Sequence, residues 1–128
     1  MAYDGNGNVV GLVNTADGKF SARYEYGPFG EVIRATGPMA KANPFRFSTK
    51  YQDAETKLLY YGYRYYDVGK GRWQSRDPNH EIGFALGVFP GIPVEPVPDG
   101  RNPYGLGGND PLLEWDFQGL ETWSQFKK

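Results

Sequence analysis

The sequence predicts a mainly β fold, a meander of short hairpins, and three observations lead to this prediction. Two tyrosine-led turn units begin at Tyr3 and Tyr26, 23 residues apart. Glycine-based turns separate stretches in which apolar and polar residues alternate with the period of a strand. Aromatic residues make up 16% of the 128 residues, enough to fill a sheet core although apolar residues reach only 39%.

The two turn units share one pattern, which reads YDGNGNVV at 3–10 and YGPFGEVI at 26–33. Each begins with tyrosine, continues with Asp or Gly, and carries a later glycine ahead of valine and a β-branched residue. A period of about 20–50 residues is typical of repeat architectures whose units bury their apolar faces against one another. The chain is therefore predicted to be a piece of a longer repeat array.

Strands are predicted first at Val9–Val13 and Phe20–Tyr26, joined by a hairpin at 16–18. The Asp-Gly pair in that turn suits a hairpin because both residues tolerate positive φ. The meander then continues through three further predicted strands, at Glu31–Arg34, Phe45–Ser48 and Leu58–Tyr66.

The predicted strand Leu58–Tyr66 carries the highest density of aromatic residues. A period of two places Tyr61, Tyr63 and Tyr65 on one face, together with Leu59. Such a face is typical of sheet core and cross-strand packing, which is the favoured interpretation. It is also typical of a platform on which sugars or bases stack, and this alternative stays open.

Charge and composition exclude several classes of partner. The 14 basic and 15 acidic residues give a net charge of −1, so no broad basic field predicts nucleic-acid binding. No apolar run approaches the roughly eighteen residues that span a bilayer, and membrane insertion is not predicted. Cysteine is absent and His80 is the lone histidine, so neither a metal nor another cofactor is predicted.

Four motifs in order carry a family resemblance. The segments 61–67 (YGYRYYD) and 71–78 (GRWQSRDP) are similar to the RYYDPxxGRFxSRDP signature of the Rhs-repeat-associated core domain. The segment 102–111 resembles the NLYxYxxNxP motif of that family, and 116–120 resembles its terminal DPxGL. The family includes Rhs and YD-repeat polymorphic toxins and the C component of ABC-type toxin complexes. The resemblance covers nearly the whole chain.

The resemblance implies a β-sheet strip that spirals into a shell around a C-terminal toxin, closed by an irregular plug. It divides the chain into YD-type hairpins at 1–35, a core and plug region at 36–120, and a tail at 121–128. A Gly- and Pro-rich stretch at 82–98 matches no family motif and is interpreted as an insertion. The partners implied are other YD-repeat segments and a toxin cargo, in a secreted or cell-surface bacterial protein.

The resemblance also implies a site. Asp77 and Asp116 match the two family aspartates that cut the chain, here between Leu120 and Glu121, with Gly119 as support. Two carboxylates brought close together cannot both ionise cheaply, so one retains a proton. Such a pair supplies a base that activates water and an acid that protonates the departing amine.

Several positions depart from the family pattern or leave alternatives open. His80 stands where the family has glycine, and Phe117 replaces the proline of the second motif. Because both positions shape the backbone, cleavage is predicted to be weak or absent. Arg72 and Arg76 flank Trp73, and each is either a partner of the aspartates or an exposed charge.

Three functions follow from these observations. The favoured one is a truncated or orphan core segment that acts as a structural shell or plug element and associates through unpaired sheet edges. Cleavage at the predicted bond would release only residues 121–128, too few to form a cargo domain. The alternatives are a single-turnover aspartyl autoprotease and a carbohydrate-binding or adhesive surface that uses Tyr61, Tyr63 and Tyr65.

Overall fold

The structure, a computed structural model, describes residues 1–78, 102–109, 111, 116 and 118–120. These residues form short strands and two 3-10 turns, at Phe47–Thr49 and Gly107–Asn109, without an α-helix among them. The predicted mainly β class is therefore confirmed. The strands are β1 (Ala2–Tyr3), β2 (Val9–Val13), β3 (Phe20–Tyr26), β4 (Val32–Thr36), β5 (Tyr51–Gln52), β6 (Leu59–Tyr60), β7 (Tyr65–Asp67) and β8 (Arg72–Trp73).

The strands form two antiparallel sheets in which every strand pairs with its neighbours in sequence. One sheet has the order β1-β2-β3-β4 and the other β5-β6-β7-β8. This sequential order is the predicted meander. Both sheets are open, and all five residues of β4 at one edge of the first sheet are exposed.

The 23-residue repeat is a structural repeat. Tyr3 pairs with Val9 across the first turn unit, and Tyr26 pairs with Val32 across the second. The last glycine of each turn has a positive φ, 77° in the first unit and 88° in the second. Glycine adopts this conformation without steric cost, which explains why the pattern keeps it there.

The hairpin between β2 and β3 has the predicted strand bounds, but its turn is longer than an Asp-Gly pair. The amide of Asn14 donates to the carbonyl of Lys19 over 2.8 Å, and Gly18 takes the left-handed position with φ 70°. The strand predicted at Glu31–Arg34 lies slightly further along the chain, as β4.

The strand predicted at Phe45–Ser48 is wrong. Phe45 makes an isolated bridge to Tyr51, after which the chain enters the 3-10 turn. Ser48 has φ 49°, which a strand backbone does not allow. The alternation of apolar and polar residues there reflects burial of Phe47 in the core and not a strand.

The single strand predicted at Leu58–Tyr66 is also wrong, because the chain reverses in its middle. Gly62 has φ 110°, and the amide of Tyr61 donates to the carbonyl of Arg64 over 3.1 Å, which closes a turn. The segment is thus a hairpin made of β6 and β7. Period-two counting through Gly62 therefore assigned the later residues to the wrong face.

The three tyrosines predicted to share a face are separated by this turn. Tyr61 is buried, with 4% of its surface exposed, whereas Tyr63 and Tyr65 are exposed at 44% and 49%. The aromatic pair on the outer face is instead Tyr60 with Tyr65, whose ring centroids lie 5.3 Å apart. The surface proposed for carbohydrate stacking is therefore not built as the sequence predicted.

Each sheet has its own small core, and the half-buried Tyr26 packs against both. The second core is the more aromatic, and Tyr61 meets Trp73 edge to face at 4.9 Å between centroids. The first core consists of Val9, Ala22, Tyr24 and Ala40. The second consists of Phe47, Leu59, Tyr61, Tyr66, Trp73 and Leu106.

Several predicted features lie outside the described residues: the insertion at 82–98, His80, Phe117, Glu121 and the tail at 121–128. Within the described part, no helix has the length and apolar character needed to cross a bilayer. The same part of the chain contains no cluster of three or more His, Cys, Asp or Glu side chains that could hold a metal ion.

Candidate functional site

The structure brings Asp77 and Asp116 together around a buried arginine, Arg64. The Arg64 Nη2 atom lies 2.9 Å from Asp77 Oδ2 and 2.9 Å from Asp116 Oδ2. The two carboxylate oxygens are therefore no farther apart than twice 2.9 Å. All three side chains are almost fully buried, so the trio forms a charged site inside the protein.

Arg64 reaches this position because it lies in the turn between β6 and β7, which points it into the second core. Its guanidinium stacks on the indole of Trp73, with 4.0 Å between the guanidinium carbon and the ring centroid. A planar guanidinium can stack on a ring and donate hydrogen bonds from its edge at the same time. A lysine in this place would offer one point charge and no flat face.

Asp116 holds the segment that ends at Leu120. Its Oδ1 atom accepts hydrogen bonds from the amides of Gln118, Gly119 and Leu120, over 3.1, 2.7 and 3.0 Å. Arg64 adds a bond from Nε to the Gly119 carbonyl over 2.6 Å. The arginine and the carboxylate together fix the backbone immediately before the predicted cleavage point.

Gly119 is required by its conformation and by its neighbours. Its φ is 76°, which L side chains rarely adopt. A Cβ atom there would lie 3.1 Å from the backbone nitrogen of Arg64 and 3.3 Å from the Cβ atom of Tyr61. The glycine of the DPxGL-like motif therefore allows the segment to lie directly against the turn that carries Arg64.

Two opposing effects act on the Asp116 carboxyl. Burial raises its pKa above the ordinary value and is the larger effect, while Arg64 and the three backbone amides lower the pKa in part. The Arg64 charge favours the ionised form of Asp116 and so opposes the shared proton on which an acid and base pair depends, but burial outweighs this effect on the Asp116 pKa.

Lys50 and Tyr61 are two further titratable residues that interact electrostatically with Asp116. Burial lowers the pKa of Lys50, and the Asp116 charge acts in the opposite direction. Lys50 Nζ lies 4.9 Å from the Tyr61 ring centroid. Burial also raises the pKa of the Tyr61 phenol, with a further contribution from Asp116, so this phenol stays neutral at physiological pH.

The two arginines predicted as support lie elsewhere. Arg72 and Arg76 are exposed, and the backbone of Arg72 lies opposite Asp67 in the register of β7 and β8. The arginine seen between the carboxylates is Arg64, which sequence reasoning missed. A signal was present, since Arg64 is the lone charged residue within the tyrosine-rich run at 58–66.

Comparison with known proteins places this fold in a family. The sequence profile of the Teneurin YD-shell matches residues 1–84. The chain belongs to the teneurin YD-shell family. The Rhs and YD-repeat resemblance of its motifs is thereby confirmed.

Curated relatives extend the YD-shell similarity beyond the profile match. The toxin subunit YenC2 of Yersinia entomophaga is 34% identical over 122 residues, which are 93% of this chain and 11% of the toxin subunit. The tRNA nuclease WapA of Bacillus subtilis strain 168 is 27% identical over 94% of this chain and 5% of its own length. The YD-shell chain thus spans a small part of these relatives.

A solved structure shows the same YD-shell fold. The crystal structure of TcdB2-TccC3 without its hypervariable C-terminal region superposes with a TM-score of 0.72 and 30% sequence identity. The match covers 93% of this chain and 5% of that one. The chain is therefore a segment of YD-shell β-structure, similar to part of a toxin complex.

Proposed function

We propose that the chain is a structural segment of a YD-repeat shell that pairs with further YD-repeat segments and helps to enclose a toxin cargo within a larger protein. The observation that carries this proposal is the open meander. Its strand β4 is exposed along its whole length, and Ile33, the second residue of the strand, is 69% exposed. An edge strand with free backbone groups is a template for another strand.

The names of the relatives support a structural role for the shared segment. One is a toxin subunit and the other a tRNA nuclease, so the activities in their names differ while the YD-shell segment recurs. A segment common to proteins with different activities is better explained as scaffold than as the active part.

The carboxylate site fits this scaffold role. Arg64, Asp77 and Asp116 join the hairpin of the second sheet to the segment that ends at Leu120. Because the charges are buried and mutually paired, the segment is seated in one geometry. We infer that the site closes the plug by fixing the backbone of the segment that ends at Leu120.

Edge pairing is tested by sedimentation velocity of the wild type beside Ile33→Lys. A lysine on an exposed edge strand blocks pairing at little cost to folding, within about 0.5 kcal/mol. We expect concentration-dependent association of the wild type and its loss in Ile33→Lys. Ala54→Lys adds the same charge at an exposed turn of the second sheet and serves as the matched control.

The control must associate as the wild type does. A wild-type chain that remains monomeric at every concentration would contradict the edge-pairing proposal. So would equal loss of association in both lysine variants, because the effect would then come from net charge and not from β4.

Self-cleavage after Leu120 is a second candidate function, favoured by the convergence of Asp77 and Asp116 on one buried cation. Both Asp116 oxygens are already engaged, one by backbone amides and one by Arg64. In a cleavage reaction Asp116 would therefore orient the peptide, and Asp77, on the same Arg64 nitrogen, would be the second carboxylate of the pair.

Intact mass spectrometry separates this candidate from the scaffold role. Because Arg64 and three backbone amides already engage both Asp116 oxygens, neither oxygen is placed to activate water, and we expect a wild-type chain that stays predominantly full length at neutral pH. Any product should end at Leu120 and be absent from Asp77→Asn. A complete cut in the wild type that Asp77→Asn abolishes would make the autoprotease the primary function.

A further inference from the structure

The turn at Phe47–Thr49 is strained. Ser48 and Thr49 are consecutive residues with φ of 49° and 56°, in the left-handed region, and neither is glycine. Thr49 is branched at Cβ, which makes this conformation particularly unfavourable. Such residues persist only where their surroundings hold them, and they cluster at functional sites.

The first hairpin loop holds this turn from about forty positions earlier in the chain. Asn8 Oδ1 accepts the Ser48 amide over 2.7 Å, and the Thr49 hydroxyl donates to the Gly7 carbonyl over 2.6 Å. Both strained residues therefore bond directly to the loop between β1 and β2.

The side chain of Asn8 is itself held in one orientation by burial and by Asp4. It is 5% exposed, and its Nδ2 donates to Asp4 Oδ2 over 2.8 Å. The other Asp4 oxygen accepts the amides of Asn6 and Asn8, each over 2.9 Å. Because the side-chain nitrogen Nδ2 of Asn8 donates to the Asp4 carboxylate, the side-chain oxygen Oδ1 is the atom that faces the Ser48 amide.

The strained turn leads directly into the carboxylate site. The Ser48 side chain and Tyr61 line the same small cavity, and Ser48 partly offsets the rise that burial causes in the pKa of the Tyr61 phenol. Tyr61 packs on Trp73, which carries the Arg64 guanidinium on its ring. A small cavity of about 10 Å³ is lined in part by Asn8, Ser48, Tyr61 and Asp116, so the first loop and the buried carboxylate face the same space.

We propose that Asn8 is a positioning residue for the Asp116 site, acting through the strained turn that it holds. The YD-repeat loop of one sheet thereby sets the geometry in which the second sheet seats Leu120. This inference rests on the proposed seating of the segment that ends at Leu120, and it adds the group that controls it.

The test is residue-resolved amide hydrogen exchange, by NMR, of the wild type and Asn8→Ala. The amides of Gly119 and Leu120 donate to Asp116 Oδ1 and report on the site. Removing Asn8 lets the turn relax, and exchange of both amides should accelerate on the order of tenfold. Amides between β3 and β4 should keep their wild-type rates.

Asn14→Ala is the matched control. Asn14 also closes a turn with its side chain, accepting the Ala16 amide over 3.0 Å, but in the exposed loop between β2 and β3. Its removal should leave the exchange of Gly119 and Leu120 unchanged. If Asn8→Ala does not fold, Asp4→Ala at an exposed position loosens the Asn8 amide and should give a smaller acceleration at the same two amides.

Rescue separates positioning from general support. Ser48→Gly keeps the amide that Asn8 accepts and adopts positive φ without strain, so the turn should depend less on Asn8. In the double variant Asn8→Ala with Ser48→Gly, protection of Gly119 and Leu120 should return towards the wild-type level. Acceleration spread equally over both sheets, or the absence of rescue, would overturn the positioning role.

The wild-type rates distinguish this inference from the function on which it rests. Unprotected Gly119 and Leu120 amides in the wild type would refute the seating of the segment itself. Protected amides that are insensitive to Asn8→Ala and Asp4→Ala would leave the seating intact and refute only the role of Asn8.

Discussion

The two sheets are built from similar hairpins but are stabilised in different ways. In the first sheet β2, β3 and β4 are five to seven residues long, and the core contains one large ring, Tyr24. In the second sheet the strands are only two or three residues long. Its core contains several aromatic rings, and the guanidinium of Arg64 stacks on one of them, Trp73.

This difference shows that the first sheet depends mainly on backbone hydrogen bonds and the second mainly on side-chain contacts. Long paired strands hold the first sheet through many backbone hydrogen bonds, so no single side chain dominates. The second sheet has few ladder bonds and depends on side chains. Single substitutions should therefore cost more in the second sheet, and buried charge should matter there alone.

Arg64→Met should have the largest effect. It leaves Asp77 and Asp116 buried without their cation, which typically costs about 3–5 kcal/mol. Arg23→Met makes the same replacement at an exposed position of the first sheet and should cost less than about 1 kcal/mol. Urea unfolding at neutral pH measures both, and equal costs would contradict the contrast between the sheets.

Gly119→Ala should have the next largest effect. It forces alanine into a positive φ and places a Cβ atom 3.1 Å from the backbone nitrogen of Arg64. The free energy of unfolding should fall by about 2–3 kcal/mol. Gly18→Ala meets nothing within 4 Å, so it should cost only the backbone strain of about 1–2 kcal/mol. Thermal unfolding of the two variants compares them, and a smaller loss at Gly119 would argue against tight docking.

The pH dependence of Asp116 is a smaller effect with a definite sign. Its pKa is raised from 3.8 by burial, so the stability it contributes is complete below 3.8 and is lost as pH rises through the raised value. The stability of the wild type relative to Asp116→Asn should therefore fall with rising pH, as measured by urea unfolding in steps of pH.

Asp53 provides the control of opposite sign. Its pKa is lowered from 3.8, chiefly by the Thr56 amide, so its contribution is present above 3.8 and is lost as pH falls through the lowered value. The stability of the wild type relative to Asp53→Asn should rise with pH. Slopes of the same sign in both comparisons would contradict burial as the dominant effect on Asp116.

Tyr60→Ala should have the smallest effect. Tyr60 is 47% exposed and meets Tyr65 on the outer face, a cross-strand pair worth about 0.2–1 kcal/mol. Tyr3→Ala, at an exposed tyrosine of the first sheet, should cost a similar amount. A loss of several kcal/mol at Tyr60 in urea unfolding would place the outer aromatic face within the structural core.

Local sequence signals predicted the first sheet well. The bounds of Val9–Val13 and Phe20–Tyr26 and the repeat of the tyrosine units follow from alternation and turn chemistry, which act over a few residues. The hairpin inside Leu58–Tyr66 was missed because Gly62 reads as one more strand residue until its φ is known.

The candidate site was only partly visible in the sequence. Family motifs indicated Asp77 and Asp116, but the arginine between them depends on a contact across 52 positions, from Arg64 to Asp116. No periodicity reports such a contact. Because the turn at Gly62 was not predicted, the alternation of side chains placed Arg64 on the wrong face of a single strand. The predicted arginine partners were therefore Arg72 and Arg76, which are exposed.

A double-mutant cycle between Arg64 and Asp116 tests the central claim most directly. The free energy of unfolding is measured for the wild type, Arg64→Met, Asp116→Asn and the double variant at neutral pH. We predict a coupling energy of about 1–3 kcal/mol, because Arg64 and Asp116 are in direct contact within the buried site and removal of either leaves the other without this partner. Additive costs, within about 0.5 kcal/mol, would show that the two groups act independently and would contradict the charged site described above.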